Sequence, residues 1–198
     1  EAPNVHNPWR DPDPMDLPCG GPATRQRHLR QHFSCKPRLL LVGEAPGYQG
    51  CHFSGIPFTS EALLGEGSIP RVEATGRLST RARPWREPSA TIVWRTLGEL
   101  GMAEDTILWN AFAWHPHKPG NPHSNRTPTR QELEAGAPVL RMICEHFRQA
   151  RVVAVGRVAD AALRTCGIQA EAAVRHPSMG GAHLFAAGLT ALMSPSGR

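Results

Sequence analysis

Apolar residues in this chain fall into short continuous runs that alternate with longer segments of helical spacing. A short unbroken apolar run bounded by turn residues is typical of a strand buried on both faces of a sheet. Four such runs predict strands at residues 39–42, 107–109, 152–155 and 172–174. Amphipathic spacing predicts helices at residues 23–34, 89–100, 157–165 and 182–192, and a further helix after Thr129.

Strands that alternate with helices in this way favour a parallel sheet with helices on both faces. We therefore predict an α/β fold, a three-layer α/β/α sandwich around a central, mostly parallel four-stranded sheet. Thr129 stands three residues before Glu132, the spacing of a capping box at a helix start. Pro138 lies inside the helix that follows and is predicted to kink it.

The length of 198 residues suits one domain with a core large enough to fold unaided. We assign residues 23–198 to that domain. Residues 1–22 are rich in proline and poor in large apolar groups, which predicts an extended N-terminal arm rather than a packed element. Trp9 is the residue that would hold such an arm in place.

Residues 65–88 interrupt the pattern with a polar insertion rich in arginine. A loop of this length inside a compact domain is usually functional or disordered. Its arginines suit contacts to DNA phosphates, with Arg77, Arg81 and Arg83 as the candidates. A solvated loop without such contacts is the alternative.

The chain is basic, with 22 Lys plus Arg against 17 Asp plus Glu and a formal net charge of +5. Lys36 and Lys118 are the only lysines, so nearly all of the cations are arginines. The guanidinium fork binds phosphate well, which makes nucleic acid the first candidate partner. No apolar stretch approaches the roughly 20 residues that span a bilayer. We expect a cytoplasmic, nucleoid-associated protein with no membrane partner.

Five cysteines are scattered along the chain without a Cys-x-x-Cys pair. This pattern indicates neither a disulfide framework nor a tight metal knuckle. A zinc site from Cys19, His28, His32 and Cys35 is conceivable because the two histidines have helical spacing, although a solvated helix face explains that spacing more simply. We expect no metal and no other cofactor.

The first predicted strand ends abruptly at the sequence Gly-Glu-Ala-Pro-Gly, residues 43–47. Two glycines and a proline allow a tight turn whose backbone N–H groups can approach a ligand. Glu44 is thereby placed at the carboxyl end of a strand, where open α/β sheets bind their ligands. A second bend at residues 55–58 would carry the ring of Phe58 back over the same opening.

Two further candidate motifs also follow predicted strands. Asn110 ends the second strand, and the tripeptide His-Pro-Ser at residues 176–178 follows the fourth. Because the carboxyl ends of parallel strands meet at one edge of the sheet, Glu44, Asn110 and His176 are expected to lie close together. The arrangement predicts a pocket at that edge.

These motifs resemble those of the uracil-DNA glycosylase superfamily. The first is similar to the form seen in its family 4, and the sequence Asn-Arg-Thr-Pro-Thr at residues 125–129 is similar to the family's segment after the asparagine. The resemblance covers residues 38–192 and fails in the N-terminal arm and the insertion. Family 4 carries an iron–sulfur cluster on four cysteines that include a close pair, and the absence of that pair here predicts no cluster.

The resemblance implies that Glu44, Asn110 and His176 are catalytic residues. His176 would stabilise negative charge on the leaving base, and Asn110 would pair with the edge of uracil. Phe58 would stack on the flipped base. The base pocket would also include four residues of the first motif: Gly43, Ala45, Gly47 and Tyr48.

The third position of the first motif is an aspartate in the most active family but Ala45 here. Water activation would then fall to Glu44, whose alternative role is to orient a loop or His176 by hydrogen bonding. The segment around the histidine would bind DNA. Relatives place a leucine wedge where this chain has Gly180, which leaves Met179 as the apolar side chain nearby. The DNA-binding candidates of this segment are Arg175, Pro177, Ser178, Met179 and Gly180.

The predicted function is the excision of uracil or a related modified pyrimidine from single- or double-stranded DNA, in base excision repair, by a monomeric hydrolase. Gly47 stands where families that insist on uracil have a tyrosine. A second reading is therefore removal of a bulky C5-modified base, such as glucosylated cytosine of phage DNA, in antiviral defence. A catalytically weak module that binds DNA or nucleotides is a third. A hydrolase of other substrates is disfavoured because the chain has no Gly-x-Ser-x-Gly elbow.

Overall fold

The computed structural model describes residues 3–194. Its strands are β1 (Val5–His6), β2 (Leu39–Gly43), β3 (Thr106–Asn110), β4 (His115–Pro116), β5 (Arg151–Val155) and β6 (Ala172–Val174). Its helices are α1 (Pro22–His32), α2 (Cys51–Ser54), α3 (Glu61–Gly65), α4 (Pro88–Glu99), α5 (Arg130–His146), α6 (Arg157–Thr165) and α7 (Ala182–Met193).

Four strands form one parallel sheet in the order β3-β2-β5-β6. This confirms the predicted α/β fold with a central four-stranded sheet and flanking helices. A separate antiparallel pair joins β1 to β4, with Val5 opposite Pro116. Within residues 3–194, no helix combines the length and apolar character needed to cross a membrane.

Strand β2 shows why the sheet is covered on both faces. Leu39 and Leu41 belong to one apolar cluster, with side chains of α4 and α7, while Leu40 and Val42 belong to another, with side chains of α5 and α6. Successive side chains of a strand point to opposite faces, so an unbroken apolar run requires two apolar layers. The sheet therefore lies between two cores, and only its ends are left for a site.

The capping box predicted for α5 is present. The Thr129 hydroxyl accepts a hydrogen bond from the Glu132 N–H, and the Glu132 carboxylate accepts one from the Thr129 N–H. The helix continues through Pro138 to His146 without interruption. The capping box therefore marks the point where the loop after β4 ends and α5, in the second helical layer, begins.

The N-terminal segment is packed, which corrects the prediction of an extended arm for its residues 3–21. The indole ring of Trp9 stacks on Trp109 at a centroid distance of 5.6 Å, and its N–H donates to the Gly55 carbonyl. The fully buried Arg25 of α1 donates to Asp16 and to carbonyls of the segment. The prediction from composition was wrong because hydrogen bonds to one buried guanidinium, rather than buried apolar area, hold much of this segment in place.

The insertion at residues 65–88 is an ordered structure built around two ionic groups. The Glu61 carboxylate is 1% exposed and accepts hydrogen bonds from the backbone N–H groups of Leu78, Ser79 and Trp85. Arg71 donates to the carbonyl oxygens of His32 at the end of α1, Ala103 before β3 and Thr106 at the start of β3. Polar groups within the insertion therefore fix its path against the domain.

Candidate active site

The ends of β2 and β3 form the centre of the site. Gly43 and Asn110 are the last residues of these strands and are paired in register. A Cβ atom on Gly43 would overlap the Phe58 ring and lie 2.8 Å from Oδ1 of Asn110. Glycine is therefore required here, because it lets the aromatic ring and the amide close on the same strand end.

Phe58 has a backbone conformation that a bulky residue rarely adopts, with φ of 50°. Its ring is 6% exposed and lies 5.9 Å from the His176 ring, centroid to centroid, at an interplanar angle of 36°. Strained backbone of this kind tends to persist at functional sites. The structure thus brings Phe58, Asn110 and His176 together, as the sequence predicted.

Asn110 is 3% exposed, and its side-chain amide has no hydrogen-bond partner among residues 3–194. Most buried polar side chains have a partner, so an unpaired amide at a strand end is a group prepared for a ligand. The neighbouring Glu44 is half-buried, and its carboxylate also lacks a hydrogen-bond or ion-pair partner in this part of the chain. The Glu44 backbone is fixed because its carbonyl accepts from the Phe112 N–H.

The hydrogen bonds of His176 define its tautomer. The backbone N–H of Ser178 donates to Nδ1 of His176 at 3.1 Å, and the Ser178 hydroxyl lies 2.8 Å from the same atom. Because an N–H group can only donate, Nδ1 carries the lone pair and the neutral ring carries its proton on Nε2. Burial, followed by the positive charge of Arg175, lowers the pKa of His176. The site therefore holds a neutral imidazole whose Nε2–H has no acceptor among residues 3–194 and can donate to a ligand.

The loop after His176 is held tightly at its base and exposed at its tip. A Cβ atom on Gly181 would overlap the His176 carbonyl oxygen, and the Gly181 N–H donates to the Ser178 carbonyl. Met179 is 91% exposed and has a φ of 52°, in the left-handed region. Pro177 is buried, whereas the other predicted DNA-binding residues of the loop are exposed: Arg175, Ser178, Met179 and Gly180.

The turn of the first motif contacts a loop that the sequence analysis did not assign to it. The Tyr48 N–H donates to Oδ1 of Asn125, and a Cβ atom on Gly47 would meet the same amide at 3.4–3.8 Å. The Tyr48 ring packs edge-on against Trp85 of the insertion. Ala45 is half-buried in the same turn. Asn125 therefore lies beside Gly47, and the side chain of a tyrosine at position 47 would start in contact with it.

The insertion arginines divide into two groups. The guanidinium of Arg77 donates to Glu61 and to the carbonyls of Ser79, Arg81 and Ala82, so it is committed to the insertion itself. Arg81 lies over the Trp85 ring, 4.2 Å from its centroid. Arg83 is exposed, and its guanidinium has no partner within the described residues. Of these three arginines, Arg81 and Arg83 present a cationic surface that is available to DNA.

The conceivable zinc site around α1 is not supported. His28 and His32 are fully buried rather than solvated, and each ring bonds the backbone. Nδ1 of His28 lies 2.8 Å from the Ser54 carbonyl oxygen, and Nε2 of His32 accepts from the Leu108 N–H. Among residues 3–194, the group with metal-ligand spacing is a different one, Asp13 with His52 and His123.

Sequence reasoning missed Glu61 and the histidine group because both depend on contacts between distant residues. Glu61 meets Trp85 from 24 positions away, and His52 meets Asp13 from 39 away. The available signal was compositional, since ten histidines are many for this length and four of them lie between residues 115 and 146. Asn125 lies in a motif that the sequence analysis did single out.

Comparison with known proteins bears on the fold and the family of the chain. The crystal structure of wild-type SMUG2 from Pedobacter heparinus is similar to this chain, with a TM-score of 0.61 and 16% sequence identity over 96% of this chain and 88% of that one. This likeness concerns the fold. No curated protein sequence matches the chain significantly. The family model of the uracil DNA glycosylase superfamily matches residues 31–198, and the chain therefore belongs to that superfamily.

Proposed function

We propose that this protein is a DNA glycosylase that turns a uracil or related modified pyrimidine out of DNA and hydrolyses its N-glycosidic bond, leaving an abasic site. The observation that carries the proposal is the convergence of Asn110, Phe58 and His176 on one strand end, where the Asn110 amide has no hydrogen-bond partner within residues 3–194. An aromatic face, a free amide and a free N–H donor are the groups needed to hold a flipped pyrimidine.

Asn110 selects the base in this proposal. Its amide offers one acceptor and two donors, so it pairs with the N3–H and O4 edge of uracil, whereas cytosine presents a different pattern. Phe58 supplies the stacking surface that the base loses when it leaves the helix. Gly43 allows both side chains to approach, because any larger residue would displace one of them.

His176 and Glu44 carry the chemistry. As the glycosidic bond breaks, negative charge develops on the base, and the Nε2–H of His176 stabilises it at the pyrimidine O2. Glu44 activates the attacking water or orients His176, and its carboxylate, which has no partner among the described residues, is available for either role. Ala45 offers no acid for this step.

The loop after His176 and the tip of the insertion grip the DNA. Met179, exposed on a strained backbone, is the apolar side chain that fills the space left by the extruded base. Arg175 and the backbone N–H groups of Ser178 and Gly180 bind phosphate on one side. Arg81 and Arg83 extend the cationic surface from the insertion, where Trp85 supports the guanidinium of Arg81.

A second candidate substrate is a bulky C5-modified cytosine, of the kind a defence enzyme would remove from phage DNA. Gly47 offers no side chain against the C5 edge, and its neighbour Asn125 is polar. An open depression of about 460 Å³ lies at the adjoining surface of the insertion, lined by Gln49, Ala62, Arg81, Arg83, Pro84 and Arg86. Its arginine and glutamine side chains suit the hydroxyl groups of a sugar.

The test is release of the base from duplexes that carry uracil, thymine opposite guanine, 5-hydroxymethylcytosine or its glucosylated form, followed by alkali, which cleaves only abasic products. We expect uracil to be released fastest. Preference for the glucosylated base would reverse the order of the two candidates. If wild-type protein binds these duplexes but releases no base from any of them, the chain is a binding module and the proposal is wrong.

A further inference from the structure

A group of buried histidines lies where the N-terminal segment, α2 and the loop after β4 meet. His52 is fully buried, and Asp13 of the N-terminal segment is 6% exposed. His123 stands at the edge of the group, with its side chain 29% exposed. The ring of His6 stacks on His52 at 3.9 Å and fixes the ring plane. The proposed glycosylase chemistry uses none of these residues.

A single carbonyl oxygen determines which nitrogen carries the proton on the neutral rings of His115 and His52. Nε2 of His115 lies 2.9 Å from the Ser124 carbonyl, which can only accept, so the His115 ring carries its proton on Nε2. Nδ1 of His115 is then bare, and it lies 2.8 Å from Nδ1 of His52. His52 must therefore donate from Nδ1, and a neutral His52 ring has a bare Nε2.

That bare nitrogen faces a carboxylate. Nε2 of His52 lies 2.9 Å from Oδ2 of Asp13, and Nε2 of His123 lies 3.1 Å from the same oxygen. A bare nitrogen and a carboxylate oxygen at this distance are bridged by a proton or by a metal ion, and His123 on the same oxygen supplies the second nitrogen that a metal ion needs.

We propose that Asp13, His52 and His123 bind a divalent transition-metal ion, with Zn²⁺ as the first choice, through Oδ2 and the two Nε2 atoms. These three atoms lie within 4.8 Å of one another. Bonds of about 2.0–2.2 Å to a common ion place neighbouring ligand atoms roughly 3 Å apart, which is close to the spacing of the two nitrogens from Oδ2. Imidazole and carboxylate are ligands that Zn²⁺ accepts readily.

The remaining contacts match those of a metal-bound histidine. A ligating imidazole commonly donates its other N–H to a neighbouring acceptor, which fixes the ring orientation. His52 donates in this way through Nδ1 to Nδ1 of His115, and His115 in turn donates through Nε2 to the Ser124 carbonyl oxygen. An ion thus satisfies every nitrogen of this chain of contacts without adding a proton to a buried ring.

The ion would link segments that are far apart in the sequence. His52 is 39 residues from Asp13, and His123 is 110 residues from it. The N-terminal segment would be tied to the domain at this point, in addition to its contacts with Arg25. Two residues after His123, Asn125 accepts from the Tyr48 N–H, so the bound ion would also restrict the motion of the loop beside the first motif. The exposed side of His123 leaves a fourth position for water and a path of entry.

The experiment measures metal content and thermal stability of the full chain. Wild-type protein stripped with EDTA is titrated with ZnCl₂, with CaCl₂ as a second arm because Ca²⁺ prefers oxygen ligands. We expect uptake of about one Zn²⁺ per chain and a rise of roughly 5 °C or more in Tm at saturating zinc. Neither effect is expected with Ca²⁺.

Two variants identify the ligands. His123→Ala removes the half-exposed ligand and should abolish stoichiometric uptake and the Tm response, while His117→Ala, in the same loop, should retain both. Asp13→Asn is the stricter variant, but its buried position endangers folding. If wild-type protein takes up no more zinc than His123→Ala and its Tm does not respond, the proposal is overturned, and the His52–Asp13 contact holds a proton instead. Equal uptake by His123→Ala and wild type would also overturn it.

Discussion

Polar groups in two regions of the molecule differ in their hydrogen bonding: those at the ends of β2 and β3, and those in the insertion at residues 65–88. At the strand end, the Asn110 side chain is 3% exposed and its amide has no hydrogen-bond partner among the described residues. In the insertion, the buried Glu61 carboxylate accepts hydrogen bonds from three backbone N–H groups and the Ser79 hydroxyl. Removing a polar group from water costs free energy, and the Glu61 carboxylate recovers that cost through hydrogen bonds within the folded chain, whereas the Asn110 amide makes none there.

This difference separates a group kept for a ligand from a group used for structure. A buried amide left unpaired is tolerated when something else completes its hydrogen bonds in the working state. A saturated carboxylate has no capacity left for a substrate. The comparison predicts that changes at the strand end impair catalysis without affecting folding, and that changes at Glu61 do the reverse.

The largest effect is expected at the strand end. Asn110→Ala and His176→Ala should each lower the rate of uracil release about 100-fold or more, in line with the loss of one transition-state donor, roughly 2.7–4 kcal/mol. Single-turnover cleavage of a uracil duplex measures the rate, and DNA affinity and Tm should stay close to wild type. His146→Ala, on the exposed end of α5, is the control. Near-normal rates in both site variants would remove these residues from the mechanism.

Glu61→Gln should destabilise the fold by about 2–3 kcal/mol, because the amide nitrogen would face backbone N–H donors. Thermal unfolding should show a Tm lower by roughly 5–10 °C. Hydrogen bonds from Trp85 and Ser79 outweigh the effect of burial and lower the pKa of Glu61, so its stabilisation is present above the ordinary pKa of 4.5 and is lost as the pH falls below it. Glu66→Gln, at an exposed ion pair, should leave Tm nearly unchanged.

Activity should fall as the pH drops through the pKa of His176. Burial and Arg175 lower this pKa below 6.5, so the neutral ring persists into mildly acid solution. Protonation would place an N–H on Nδ1 against the Ser178 N–H and displace the ring. Arg175→Gln removes a neighbouring positive charge and should move the acid limb of the pH–rate profile to higher pH, whereas Arg148→Gln should not. A limb that stays in place would mean that another group controls it.

The smallest effect concerns DNA affinity at the insertion. Replacing Arg81 and Arg83 together by alanine should flatten the slope of log affinity against log salt by roughly one to two, because each lost phosphate contact removes about 0.9 for duplex DNA. Fluorescence anisotropy at several salt concentrations measures the slope. The double variant Arg130→Ala, Arg164→Ala, on exposed helix faces, is the control. An unchanged slope would leave the insertion as a structure without a role in DNA binding.

The sequence alone was sufficient to predict the sheet and its order of motifs. Strands such as β2 are continuous apolar runs, and the turn residues that end them lie next to them in the chain, so short-range patterns carry the information. The positions of Asn110 and His176 after predicted strands then place them at one edge, because parallel strands end on the same side. Family motifs added the proposed roles.

Tertiary structure alone decided which polar residues are buried and what they contact. Arg25, His52 and Glu61 look like surface residues in the sequence, yet each is buried because partners from remote segments complete its hydrogen bonds. Arg77 and Arg83 lie six positions apart and cannot be told apart by composition, but only Arg77 meets Glu61. A hydrogen bond between residues far apart in sequence leaves no periodic trace in either segment, so the packed N-terminal segment and the histidine group became visible only in three dimensions.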